Sequence, residues 1–407
     1  MTEVSLASPP LTRRRGVAPK SWRDVWLKVH LWLGLALGLF LSVIGLTGSA
    51  LVFFQEIDEA LEPALRIVAA PPQGRAAWRP LEDIAEAARR AIPADAALGF
   101  TYWPQSDDEA FLFYYRVKTQ TSETPETWHV FVDPYRAEAT GTRLWRTPES
   151  PFKGAFVRFI FDLHYQLLLS QTGDLVVGIM ALLAFVSTLT GVYLWWPRNG
   201  KWRNAFTMKW PAKAERLTYD LHRLAGLFLL PVAIAVLMSG LYFNLPQQFR
   251  AVVELFSKLA SVETARSVSG GERVTLDQAV DVAARRFPGA RIYSVSMPAP
   301  RGGPYLVSHL FPIGFGLEGR RAVFVDQRDG EVLRVNDPLS GDGDGFMAWQ
   351  WPLHSGYVAG WPGRIAVFLF GLSWPLVFVT GVIRWLHKRG ARRRAGEKGA
   401  RAAAAAA

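Results

Sequence analysis

Cysteine is absent from all 407 residues. That excludes disulfides, iron–sulfur clusters, thiolate metal sites and the C-x-x-C-H attachment of a covalent haem, and it leaves the redox character of the compartment open. Charge is also scarce: Asp, Glu, Lys and Arg make up 20% of the chain against 50% hydrophobic residues. Such a balance fits membrane spans mixed with water-facing domains better than one soluble globule. No G-x-G-x-x-G follows a strand-like run, so there is no dinucleotide or flavin fingerprint.

What is present begins with KVHLWLGLALGLFLSVIGLTGSALVFF, Lys28 to Phe54, which carries no charge from Leu31 onward. Those residues make a helix of about 36 Å, enough for a hydrocarbon core of about 30 Å. Three further runs of this kind follow the first (Val29–Phe54), namely Leu175–Trp196, Leu221–Leu245 and Arg364–Leu386. The first run lies too far from Arg13–Arg15, and is too long, for a cleaved signal peptide.

The net charge of +11 is uneven. Residues 1–30, 197–223 and 384–407 hold 21 of the 46 basic residues and only five of the 35 acidic ones. This distribution explains the basic balance without nucleic acid. Under the positive-inside rule the two termini and the middle loop face the cytoplasm, and residues 56–160 and 246–350 lie outside, in the periplasm of a cell with two membranes.

The chain repeats itself. His30, Gly34 and Gly48 recur 192 residues later as His222, Gly226 and Gly240. FDLHYQLLLSQTGDLVVG…TGVYLWWPR aligns with WPLHSGYVAGWPGRIAVF…TGVIRWLHKR at an offset of 190, matching His164 to His354, Gly173 to Gly363, Thr190-Gly191 to Thr380-Gly381 and Trp195 to Trp385. Between these spans, LEDIAEAARRAIP and LDQAVDVAARRFPGA each have helical spacing. Strand-like runs follow each: Gly99–Trp103, Ala110–Lys118 and Trp128–Asp133 in the first half, RIYSVSM, PYLVSHL and RAVFVDQRDGEVLRV in the second. His164 precedes Trp195 by 31 residues, too many for one span, so a break at Gln171-Thr172-Gly173, and at Trp361-Pro362-Gly363 in the second half, separates a short interfacial helix from the true span.

The expected fold is therefore an α-helical membrane protein with four transmembrane helices in two parallel repeats and two extracytoplasmic α+β domains. Residues 1–24 form a cytoplasmic tail, 25–55 the first span, 56–155 the first outer domain, and 156–197 an interfacial helix with the second span. Residues 198–216 form a cytoplasmic loop, 217–245 the third span, 246–348 the second outer domain, and 349–388 an interfacial segment with the fourth span. The basic, alanine-rich stretch 389–407 is expected to be a disordered cytoplasmic tail, and Gly341-Asp342-Gly343-Asp344-Gly345 a flexible linker.

Topology sorts the histidines into two layers. His30 and His222 open outward-running spans and sit near the cytoplasmic face, whereas His164 and His354 precede inward-running spans near the outer face. A single histidine at a helix mouth usually caps a helix or bonds a neighbouring carbonyl. Two matched pairs among seven histidines favour paired ligation instead. Opposed imidazoles with no thiolate or carboxylate suit a six-coordinate b-type haem, one per layer, better than a tetrahedral zinc site. His387 competes with His222 for the inner layer, although its duplicate position is Pro197. Gly34, Gly38, Gly48, Gly226 and Gly240 permit close approach of a macrocycle or of a second helix. His129 and His309 fall in strands as surface or packing residues, and the Trp/Tyr clusters suit interfacial belts.

The chain from Trp22 to Lys388 resembles the PepSY-associated transmembrane family, which includes ferric-siderophore reductases and iron-regulated membrane proteins. The motifs are WRDVWLKVHLWLGLALG with LTGSALVF, DLHYQLLLSQTGDLVVG with LTGVYLWWPR, LHRLAGL, and PLHSGYVAGWPGR with VTGVIRW. The two outer helix-then-strands units look like PepSY domains. The resemblance implies a multi-pass bacterial inner-membrane oxidoreductase with two haem b groups ligated by His30, His222, His164 and His354. It would pass electrons from an unidentified donor, cytoplasmic or quinol, to a periplasmic ferric-siderophore and release Fe(II). The alternative is a non-enzymatic PepSY regulator that restrains a peptidase or senses envelope state. A transporter fits less well, because the span interiors hold no Asp, Glu or Lys.

Overall fold

The computed structural model describes residues 21–120, 122–198, 200–259, 274–298, 302–314 and 317–406. Helix α1 (Trp22–Leu51) opens on a capping box, with the Ser21 hydroxyl accepting from the Asp24 amide and the Asp24 carboxylate accepting from Ser21. Short helices α2 (Phe54–Leu61) and α3 (Pro63–Arg66) lead to α4 (Leu81–Arg90) and strands β1 (Ala97–Tyr102), β2 (Phe111–Val117), β3 (Glu126–Asp133) and β4 (Glu138–Arg146). Next come α5 (Phe156–Gln166), α6 (Ser170–Trp195), α7 (Trp202–Phe206), and the bent pair α8 (Ala214–Phe228) and α9 (Leu230–Asn244). The second half then repeats the first: α10 (Pro246–Glu254), α11 (Leu276–Arg286), β5 (Arg291–Ser296), β6 (Tyr305–Gly314), β7 (Leu317–Val325) and β8 (Val332–Asn336). Helices α12 (Gly343–Ala348), α13 (Gln350–Ser355) and α14 (Gly360–Ala406) complete it.

Among the described residues three helices, α1, α6 and α14, are each long and apolar enough to cross a membrane, and α8 with α9 make a fourth span if the pair is taken as one. That pair bends by 61° at Leu229, where the expected third span is continuous. Pro231 explains the break, since it removes an amide and crowds the preceding turn. α1 has Leu39 at the duplicated place and is one continuous helix. Close packing of α1 on α14 relies on glycine: a Cβ on Gly45 would lie 2.6 Å from the Gly371 carbonyl, and Gly38 faces the Phe378 ring.

The two outer units are not separate domains. All eight strands form one antiparallel sheet, in the order β4-β3-β2-β1-β5-β6-β7-β8. The halves meet where β1 pairs with β5, with Thr101 opposite Val295. Helices α4 and α11 cover one face, and Ile84, Ala88, Ala279 and Ala283 share a single core with Phe111, Phe113, Val130, Val307 and Val323. Joining the halves gives two marginal sheets one larger core. β4 was not foreseen from its sequence, because EATGTRLWR lacks the alternating apolar pattern of a strand.

Three other expectations are corrected. The breaks ahead of the second and fourth spans fall earlier than expected, at Leu167–Leu169 and Gly356–Ala359, and Gln171–Gly173 lie in the first turn of α6. Gly173 faces the Gln166 carbonyl and Gly363 faces the Gly356 carbonyl, so the duplicated glycines let each span start against the end of its short helix. The expected disordered tail is helical to Ala406 as far as it is described, a continuation of α14, since alanine, arginine and lysine favour helix once a span has nucleated it. The expected linker at 341–345 instead starts a helix, with the Asp342 carboxylate accepting from the Gly345 amide.

Candidate functional site

Two pairs of histidines meet inside the helix bundle. His30 from α1 and His222 from α8 have ring centroids 6.2 Å apart, with planes at 88°. His164 from α5 and His354 from α13 are also 6.2 Å apart, with planes at 66°. The first pair lies at the end of the bundle away from the sheet and the second at the end near it. Eighteen residues of α1 separate His30 from Gly48, which faces His164, so the layers are about 27 Å apart along that helix. His387 is exposed on α14, and it is His222 that faces His30.

Each imidazole is held by a neighbouring helix in the same way. His30 Nδ1 lies 3.0 Å from the Ser187 carbonyl and 3.1 Å from Thr190 Oγ1. His222 Nδ1 lies 3.0 Å from the Val377 carbonyl and 3.2 Å from Thr380 Oγ1. His164 Nδ1 lies 2.9 Å from the Ile44 carbonyl and 3.3 Å from Thr47 Oγ1. His354 Nδ1 lies 3.2 Å from the Val236 carbonyl and 3.0 Å from Ser239 Oγ. In all four the carbonyl belongs to the residue three before the hydroxyl, so one helical turn presents both acceptors to one ring nitrogen.

This arrangement sets the tautomer. Each hydroxyl gives its own proton to a carbonyl of its helix: Thr190 to Ser187, Thr380 to Leu376, Thr47 to Val43 and Ser239 to Ala235, all within 2.8 Å. The carbonyl and this hydroxyl are therefore both acceptors at each Nδ1, which places the hydrogen on Nδ1; at His30 the Ser187 hydroxyl also approaches, at 3.4 Å. The lone pair is left on Nε2, the nitrogen free to ligate a metal.

A glycine follows each hydroxyl and lies against the ring. A Cβ on Gly191 would lie 3.2 Å from His30 Cε1, on Gly381 3.5 Å from His222, on Gly48 2.7 Å from His164 and on Gly240 3.6 Å from His354. Each span thus carries one hydroxyl–glycine pair, Thr47-Gly48, Thr190-Gly191, Ser239-Gly240 or Thr380-Gly381, that serves a histidine of its own half. The halves then bring the rings together. Sequence comparison exposes Thr190-Gly191 and Thr380-Gly381 as duplicates, but it does not show that they hold imidazoles. The sequence signal for that role is a Thr-Gly or Ser-Gly dipeptide in each of the four spans.

The glycines of the first layer divide by role. Gly34 and Gly226, one turn after His30 and His222, have nothing within 4 Å of a Cβ, so open space borders both histidine-bearing faces. Among the described residues no group of three or more His, Cys, Asp or Glu could hold a metal. Among the described residues, either layer could therefore offer a metal the nitrogens of its two imidazoles.

His129 and His309 lie elsewhere. Both are buried in the sheet, not on its surface. His129 stacks on Trp145 at 4.3 Å and accepts a hydrogen bond from Arg143 at Nδ1. Arg143 also pairs with Asp58 at 2.9 Å and Glu62 at 2.7 Å, tying β4 to α2 at the end of the first span.

No curated protein matches the chain. The family model for the PepSY-associated TM region matches residues 27–388, the greater part of its length and all four histidines of the two layers. The chain is a membrane protein and belongs to the PepSY-associated transmembrane family.

Proposed function

We propose that the chain is a dihaem electron-transfer protein of the bacterial inner membrane, a ferric-siderophore reductase. In this reading it carries electrons from a cytoplasmic donor or the quinol pool to ferric-siderophore in the periplasm, where Fe(III) takes one electron and leaves its oxygen donors as Fe(II). The observation that carries the reading is the pair of imidazole pairs, each 6.2 Å apart, with every Nδ1 occupied by acceptors. Two metal–nitrogen bonds of about 2.0 Å together with the two ring radii span roughly 6 Å between ring centres. The paired imidazoles would hold a haem iron, and the open space beside Gly34 and Gly226 would leave room for its ring in the first layer.

A haem so held supplies reversible one-electron chemistry. The chain's own residues determine the rest. The carbonyl and hydroxyl acceptors keep each ring in one tautomer and one orientation, which suits a centre whose ligands do not change between oxidation states. Charge segregation supports the orientation: the basic termini and middle loop face the cytoplasm, and the sheet lies outside. The pair near the sheet is then the outward one, beneath the surface where a ferric chelate would arrive. A purely regulatory PepSY protein would leave the opposed imidazoles without a task.

The test is a single-turnover mixing experiment. Purified, chemically pre-reduced protein is mixed with ferric siderophore and a ferrous-iron trap. Haem reoxidation with trapped Fe(II) in equal amount is expected. Reduced haem that persists in the presence of the chelate would contradict the proposal.

A further inference from the structure

The end of the first-layer site that points away from the sheet carries a cation with no anion within pairing distance among the described residues. Arg384 stands on α14 three residues past Gly381, which faces the His222 ring, and so about 4.5 Å further along the helix. Its guanidinium covers the ring of Tyr219 at 4.1 Å, and Tyr219 stands three residues before His222 on α8. Both residues therefore sit one turn below the imidazole plane.

Two other arginines approach the same ring, Arg216 at 5.5 Å and Arg223 at 5.4 Å. Both are paired with the fully buried Asp220, each at 2.9 Å. Arg384 is left over. Among the described residues it makes no hydrogen bond and no ion pair, and the nearby Glu215 carboxylate acts on it only from beyond pairing distance. A half-buried guanidinium at the end of a span is costly unless an anion meets it.

The duplication sharpens the point. The positions matching Arg384 and Tyr219 in the first half are Leu194 and Leu27, both apolar. Copying alone would leave that side without a cation. Instead Arg23, in the first turn of α1, reaches across and donates to the Leu194 carbonyl. Two guanidinium groups thus reach related places by different routes.

We propose that Arg384 and Arg23 bind the two propionate carboxylates of the porphyrin held between His30 and His222, fixing its carboxylate edge toward the sheet-distal end of the bundle. Arginine suits this task because its planar fork meets a carboxylate in two parallel hydrogen bonds. The inference rests on the dihaem reading. The competing source of anionic oxygen is a lipid phosphate in the adjacent leaflet.

The test is a haem titration of the full-length chain prepared without haem, in a His164→Ala background so that only the first layer reports. Haem b and its dimethyl ester, which lacks the carboxylates, are compared by absorbance. The parent should prefer haem over the ester by about tenfold or more, as charge-assisted pairs require. Arg384→Leu and Arg384→Gln should each shrink that preference to less than about threefold while leaving ester affinity unchanged, which shows that the site still folds. Arg23→Leu should shrink it as well. An undiminished preference in the Arg384 variants would overturn the proposal and assign the guanidinium to lipid phosphate. Failure of the parent to bind either compound would overturn the dihaem reading as well, and so is distinguishable.

Discussion

His222 and Thr380 are locked into one geometry. The imidazole Nδ1 lies 3.2 Å from the threonine Oγ1, whose own proton is given to the Leu376 carbonyl 2.7 Å away. The hydroxyl can only accept, so it draws on the Nδ1 hydrogen and makes the opposite nitrogen a stronger donor. Thr380→Val keeps the shape and removes the acceptor. A net hydrogen bond of ~1 kcal/mol corresponds to roughly 40 mV at one electron, so the midpoint potential of the sheet-distal centre should rise by up to that amount. The other centre should not move. A potentiometric titration followed in the visible spectrum checks both.

The four glycines that face the rings are not equally tolerant. A Cβ at Gly48 would lie 2.7 Å from His164, whereas one at Gly240 would lie 3.6 Å from His354, an ordinary contact. Gly48→Ala forces the imidazole to move, with an overpacking cost of about 1–3 kcal/mol. Haem affinity at the sheet-proximal site should therefore fall by about tenfold or more. Gly240→Ala should change it by less than about threefold. Haem content of the two purified variants distinguishes them.

Substituting the histidines should separate the layers. His30→Ala and His222→Ala each lose the sheet-distal haem, and His164→Ala and His354→Ala each lose the other, because each pair shares one site. His387→Ala should retain both, since His387 is exposed and apart from either pair. Pyridine haemochrome analysis gives the count directly.

Asp58 should matter to stability rather than to cofactor. It is 3% exposed and accepts from Arg66 at 3.0 Å and Arg143 at 2.9 Å, joining α2 to α3 and β4. Asp58→Ala removes the carboxylate shared by two buried guanidinium groups and leaves Arg143 to Glu62 and Arg66 to Glu109, so the cost should stay at or below about 3 kcal/mol. Thermal unfolding of the sheet should shift down while the haem count stays at the parent value.

Acid should act through His129. Burial first, then the guanidinium groups of Arg143, Arg66 and Arg158, hold its imidazole well below the ordinary value. It is therefore neutral in the fold, but in the unfolded chain it takes up a proton below about pH 6.5. Its contribution to stability is fully present above about 6.5 and is lost as pH falls below that point, since the unfolded state then binds the extra proton. His129→Gln should flatten the fall in unfolding temperature from about pH 6.5 downward, measured against the parent at matched salt.

Much of this architecture is legible in the sequence because duplication writes each feature twice. His30 with His222 and His164 with His354 stand at constant offsets within apolar runs, and charge bias separates the layers. The fusion of the outer units was not legible, since β1 and β5 pair through backbone groups that no residue pattern marks. The bend at Leu229 depends on a single proline that one half has and the other lacks. The role of the hydroxyl–glycine pairs was not legible because each lies far in sequence from the ring it holds, as Thr380 does from His222 by 158 residues.

The most direct measurement is the haem content and spin state of the purified, unmodified chain, by haemochrome assay with low-temperature electron paramagnetic resonance. Two b-type haems per chain, both low-spin with two imidazole ligands, are expected. A colourless preparation, or haem held in a high-spin state by a single nitrogen, would contradict paired ligation at 6.2 Å.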